Sequence, residues 1–175
     1  MEKLFVLAGK ARSGKDSAAD IIEGYYNDKK IIKLMYGCPI KHYAKILSNW
    51  DGSEETKPRT LLQEIGVESR KINPGYTTRR MEEDINILKK YFDIIIITDT
   101  RMKDEIIMPK QKFKETVTIK LVRDNFESEL SKNEQKNITE TALDNYNDYD
   151  YIVHNSGTLE DLKQKIIKII ESEES

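Results

Sequence analysis

The sequence predicts an α/β domain built on a mostly parallel sheet. Three observations carry that expectation. Short apolar runs alternate along the chain with segments of helical periodicity, which is how strands joined by crossover helices read. The first apolar run, Leu4 to Ala8, leads straight into a glycine-bearing loop and then a helical pattern. The most apolar run, "IIII" at Ile94 to Ile97, has the continuous character of a strand covered on both faces.

Leu4–Ala8 is the first strand, and a helix from Lys15 presents Ala18, Ile21, Ile22 and Tyr25 on one face. Ile31–Met35 is a second strand. Gly37 and Pro39 open a helix carrying Ile40, Tyr43, Ala44 and Leu47, and "SNWDGSEETKP" is a loop. Pro58 suits the first position of the next helix, with Leu61, Leu62 and Ile65. "NPGY" interrupts before a helix through Met81, Ile85 and Leu88. Ile94–Ile97 and Thr116–Val122 follow as strands, and the polar stretch Asp124–Thr141 reads as an insertion. Tyr151–Val153 is a last short strand. Thr158 and Asp161 form an approximate capping pair for a final helix through Leu159, Leu162, Ile166 and Ile169, with "ESEES" as a frayed tail.

A chain of 175 residues suits one domain with a sizeable core. A net charge of −2 gives no sign of a nucleic-acid coat or a polybasic membrane anchor. The N-terminal apolar run is too short for a signal core or a membrane span, so the chain reads as cytoplasmic. Cys38 is alone, which excludes an internal disulfide and a Cys-Cys metal knuckle. His42 and His154 have no ligand spacing around them.

The chemistry concentrates in "GKARSGKDS", Gly9 to Ser17. It meets the phosphate-loop pattern G-x-x-x-x-G-K at Gly9, Gly14 and Lys15, but Asp16 stands where a hydroxyl normally serves magnesium. Main-chain amides across Ala11, Arg12, Ser13 and Gly14, with the positive end of a helix, suit a phosphate whatever the side chains are. Lys15 adds a cation for the β- and γ-phosphates. A carboxylate is as hard a ligand as a hydroxyl, so Asp16 is a candidate for Mg2+, directly or through water. The alternative is that it only complements the helix dipole. Ser17, one residue on, is rotated about 100° around the helix axis and cannot simply take over.

"IIIITDTR" places Asp99 at the carboxyl end of the most apolar strand, where open α/β sheets gather ligands. It is a second magnesium-side candidate, or a turn residue. Arg101 suits a phosphate by bidentate hydrogen bonding, or is a surface arginine. No N-K-x-D or T-K-x-D occurs, which argues against guanine-reading switches, and the chain is too short for the sensor domains of ring ATPases. Small kinases acting on metabolites remain.

Several segments together resemble the deoxynucleoside monophosphate kinases of phage and bacterial type. The loop is similar to their G-x-x-x-S-G-K-D, and the same aspartate occurs in the related animal-type phosphomevalonate kinases. "CPIKHYA" resembles a helix start that carries over Lys41. "LLQEIGVESRKINPGY" is similar to the acceptor-side segment, carrying over Arg70, with Arg79 in "TTRR". "TDTR" carries over Asp99 and Arg101, and "ITETALDNYNDYDYIVHNSGTLEDL" resembles the family's ending.

The resemblance implies a nucleoside-monophosphate-kinase fold: a five-stranded parallel sheet in three layers, an acceptor-binding helical part at about residues 37–90 and a lid at about 123–142. It places the Ile94–Ile97 strand beside the loop strand, and Asn155 and Gly157 near adenine. Lids of this class present several arginines, whereas this stretch offers Arg123, then Lys132 and Lys136 among acids. Either Arg12 supplies that charge or the lid mainly excludes water. Arg123 also reads as a strand-end charge.

The expected reaction is in-line transfer from ATP with Mg2+. Lys15 and Arg12 hold the γ-phosphate, Lys41, Arg70, Arg79 and Arg101 hold a small-molecule phosphate acceptor, and Asp99 orients water or the attacking oxygen. A deoxynucleoside monophosphate is the first acceptor and phosphomevalonate the second. A non-catalytic ATP-binding module stays open. Tyr43, Trp50 and Tyr76 are candidates for a base slot or for packing. No nucleic-acid polymer or membrane partner is expected, and the chain reads as a monomer or homodimer.

Overall fold

The computed structural model describes residues 1–124 and 135–175. Positions 125–134 of the expected lid, Lys132 among them, lie outside the described residues.

The described chain runs β1 (Lys3–Ala8), α1 (Lys15–Tyr25), β2 (Ile31–Leu34), α2 (Cys38–Ser48), α3 (Arg59–Ile72), α4 (Tyr76–Leu88), β3 (Ile94–Thr100), α5 (Asp104–Lys112), β4 (Thr116–Val122), α6 (Ile138–Thr141), β5 (Tyr151–His154) and α7 (Leu159–Glu174). The five strands form one sheet in the order β2-β3-β1-β4-β5. Every pairing is parallel, with Phe5 opposite Ile96 and Val117 in the two central ladders. The loop strand therefore lies beside the isoleucine strand, as the resemblance implies.

Alternation of side chains sends the isoleucines of β3 to opposite faces. Ile94 and Ile96 join Ala18, Ala19 and Ile22 of α1 and Leu162, Ile166 and Ile170 of α7. Ile95 and Ile97 join Met81 and Ile85 of α4, with Tyr36 and Phe113. All four isoleucines are fully buried. Each contributes roughly 1.5–3 kcal/mol of hydrophobic stabilisation, so this strand anchors both layers.

Two expectations needed correction. Pro58 caps α3 from outside rather than opening it. The tail is not frayed: α7 continues to Glu174. Lys3 Nζ clasps the Glu173 carbonyl and carboxylate at 2.8 and 3.1 Å, and Tyr151 donates to the same carboxylate at 2.8 Å.

Helix α5 was not foreseen, because Pro109 lies inside it. Proline leaves the carbonyl four residues back without its usual donor. That carbonyl belongs to Glu105, and the Tyr36 hydroxyl donates to it at 2.8 Å. The helix is completed by a side chain from the β2–α2 turn.

Among the described residues, no helix is long and apolar enough to cross a membrane.

Candidate active site

The loop between β1 and α1 is shaped by what surrounds it. Gly9 and Gly14 have φ of 145° and 101°, where a side chain is strained. A Cβ on Gly9 would lie 2.5 Å from the Leu121 carbonyl, and one on Gly14 would strike the Asn155 amide. The Asn155 amide donates to the Ser13 carbonyl at 3.0 Å, tying the β5–α7 turn to the loop. Arg12 takes a left-handed φ of 59° without being glycine. Its carbonyl accepts from Arg123 at 3.5 Å.

Lys15 is only 7% exposed and curls back over the loop. Its ammonium donates to the carbonyls of Gly9 at 2.9 Å and Lys10 at 2.7 Å. Burial first, and then the charge of Arg101, pushes its pKa down to about 7. Asp16, Glu140 and Asp99 pull it the other way. A buried cation short of counter-charge is what an incoming phosphate would relieve.

In front of the loop opens a cleft of about 410 Å³, bounded by α2, α3 and the end of β3. Ala11, Arg12, Lys15 and Asp16 line it on the loop side, with Lys41, Arg70, Asp99 and Arg101 also in its walls. On the other side of the loop, a hollow of about 320 Å³ is lined by Gly14, Ser17, Arg123, Asn155 and Gly157. Arg12, Lys15 and Asp16 border both. Ser17 borders only the second, in line with its rotation around α1. Arg79 is set apart: it is exposed, hydrogen-bonded to the Asn73 side chain, and outside the cleft lining.

Asp99 has a task that the sequence did not suggest. One carboxylate oxygen accepts the Tyr36 N–H at 2.7 Å and the other the Gly37 N–H at 2.9 Å. It fastens the β2–α2 turn to the end of β3, and a Cβ on Gly37 would lie 2.9 Å from it. Each oxygen keeps a further lone pair. Asp16 is exposed at the mouth of the cleft. No group of three metal-ligating side chains occurs among the described residues.

Sequence reasoning missed three charged groups. Glu105, 1% exposed, accepts the N–H groups of Arg101 at 2.8 Å and Met102 at 3.0 Å, and pairs with Arg70 at 3.3 Å. Burial pushes its pKa up to about 7. Its signal was position, four residues after Arg101 at the start of an unrecognised helix. Arg59 lines the cleft at the opening of α3 and pairs with Glu54 at 2.5 Å, which also takes Lys57 at 2.9 Å. The spacing Arg59, Gln63, Gly66, Arg70 repeats on one helical face and was legible. Glu140 of α6 accepts the Ala11 N–H at 3.3 Å and pairs with Arg101. Nothing in "TET" marks it.

No family model and no curated protein matches the sequence. Solved structures do match, over nearly the whole of both chains. An APS kinase from Mycobacterium tuberculosis aligns with a TM-score of 0.54 at 11% identity, covering 97% of this chain and 96% of that one. A dephospho-CoA kinase from Campylobacter jejuni gives 0.54 at 15%, covering 98% and 97%. A shikimate kinase from Aquifex aeolicus gives 0.50 at 13%, covering 97% and 96%. The fold is the three-layer α/β/α arrangement of phosphate-loop kinases, with five parallel strands. At these identities the likeness speaks for fold alone.

Proposed function

We propose that the protein is an ATP-dependent kinase that moves the γ-phosphate onto a phosphorylated small molecule, with a (deoxy)nucleoside monophosphate as first acceptor. One observation carries the reading: the buried Lys15 and the loop border a cleft whose walls also hold Lys41, Arg70 and Arg101. Cations gathered around one gap suit two phosphates brought into line. The loop motif and "TDTR" resemble the deoxynucleoside monophosphate kinases and support that acceptor.

In the mechanism, the loop amides and Lys15 hold the triphosphate, and the hollow by Asn155 and Gly157 takes the base. Arg70 and Lys41 hold the acceptor phosphate at attack distance, and Arg101 lies where it serves both that phosphate and the transferred one. Alignment and charge stabilisation account for most of such catalysis. An ionised phosphate is already a nucleophile, so no strong base is needed. Asp16 and Asp99 would hold magnesium, which would draw charge from the transferred group when bound. Arg12, at the border of both hollows, suits the γ-phosphate. Arg79 suits the acceptor only with a change of side-chain position.

A second reading, a phosphomevalonate-type acceptor, is favoured by one observation. Tyr43, Trp50 and Tyr76 do not line the cleft. Trp50 is buried with its ring N–H on the Ser53 carbonyl at 2.8 Å. A base slot built from them is not in place. The test is ADP release with each deoxynucleoside monophosphate and with phosphomevalonate. Turnover with one monophosphate, at least ten-fold above the acceptor-free rate, is the expected result. ATP binding with no acceptor-dependent release would leave a nucleotide-binding module instead.

A further inference from the structure

We infer that Glu140 occupies, in the nucleotide-free protein, the position of the transferable phosphate, and so sets the preference between tri- and diphosphate nucleotides. The inference rests on the kinase reading and deepens it.

The Glu140 side chain is only 10% exposed. One carboxylate oxygen accepts the Ala11 N–H of the phosphate loop at 3.3 Å. The other pairs with the Arg101 guanidinium, at the end of β3 in the cleft wall. Its charge also reaches Lys15. A carboxylate carries the same charge and acceptor geometry as two oxygens of a phosphate. Main-chain amide, lysine and arginine are the donor set that a phosphate between the loop and the acceptor would use. Of a bound triphosphate, the phosphate nearest the acceptor is the terminal one. A diphosphate ends before that point.

Triphosphate and Glu140 therefore compete for the same donors, whereas diphosphate and Glu140 need not. The surroundings allow an exchange. A cavity of about 410 Å³ lies under α6, lined by Thr139, Glu140 and Leu143 against Gly9 and Ala11. Helix α6 is a single turn, capped by the Asn137 side chain on the Thr139 N–H at 3.1 Å. So short an element shifts at little cost. Arg101 would pass from Glu140 to the phosphate as the triphosphate enters. After transfer, Glu140 would return over the diphosphate, leaving it the weaker contacts.

The experiment measures Mg-ATP and Mg-ADP binding by calorimetry in wild type, Glu140→Gln and Glu140→Asp, with thermal melting as the fold check. Glu140→Gln removes the charge at constant size. We expect ATP to tighten about ten-fold, the scale of one charge-assisted contact, and ADP by less than about two-fold. Glu140→Asp keeps the charge but is too short to span Ala11 and Arg101. It should raise the ATP-to-ADP affinity ratio about three-fold, and it decides the matter if the glutamine variant does not fold. Equal effects on both nucleotides, or no change in ATP affinity, would overturn the inference and leave the kinase reading standing. Absence of ATP binding by the wild type would overturn both.

Discussion

Lys15 shows how one side chain reports on the state of its site. With its pKa near 7, much of the population is neutral in ligand-free protein at neutral pH. A bound phosphate favours the ammonium and raises that pKa. Binding above pH 7 therefore takes up a proton, and affinity falls as pH rises further. Calorimetry of ATP binding near pH 8.5, in buffers of different ionisation heat, should give an uptake approaching about one proton. Zero uptake would mean that Lys15 is already charged.

Glu105 gives the opposite lever, on stability. Burial raises its pKa from 4.5 to about 7, so the folded state holds a proton that the unfolded chain has lost. Its contribution is fully present below pH 4.5 and declines as pH rises to 7. Denaturant titrations of wild type and Glu105→Gln across pH 4.5–7 should show wild type losing relative stability, by about 1.4 kcal/mol for each unit of the shift. Parallel curves would mean that Arg70 and the two N–H donors keep the carboxylate ionised.

At the scale of elements, caps and turns decide where segments stop. The final helix starts on a full capping box: the Thr158 hydroxyl accepts the Asp161 N–H, and Asp161 accepts the Thr158 N–H at 2.8 Å. Thr158→Ala should lower the midpoint of chemical unfolding by the equivalent of about 1 kcal/mol, with an unchanged slope. The start of this helix was legible because its capping signal is local, whereas its end was not, since the clasp of Lys3 and Tyr151 on Glu173 comes from distant segments. The strands were legible too: Ile94–Ile97 could be nothing but buried on both faces. Helix α5 was not legible, because its proline is tolerated only through a hydroxyl from Tyr36, 69 residues away along the chain. The same holds for Asp99, whose partners at Tyr36 and Gly37 come from another turn, and for Glu140, which reaches the loop from 129 residues on. Motifs state what a segment can do alone. Contacts between distant segments have no such signature.

For the whole molecule, three of the cleft's arginines are already answered from within. Arg59 meets Glu54, Arg70 meets Glu105 and Arg101 meets Glu140. The net charge of −2 is balanced locally as well as globally. Those pairs cut the field that the three arginines would otherwise project into solvent, which weakens electrostatic steering of anions from afar. Encounter would then run at an ordinary diffusive pace with a shallow dependence on ionic strength. Selectivity would come after arrival, from the ability of a true substrate to break each internal pair and replace its carboxylate.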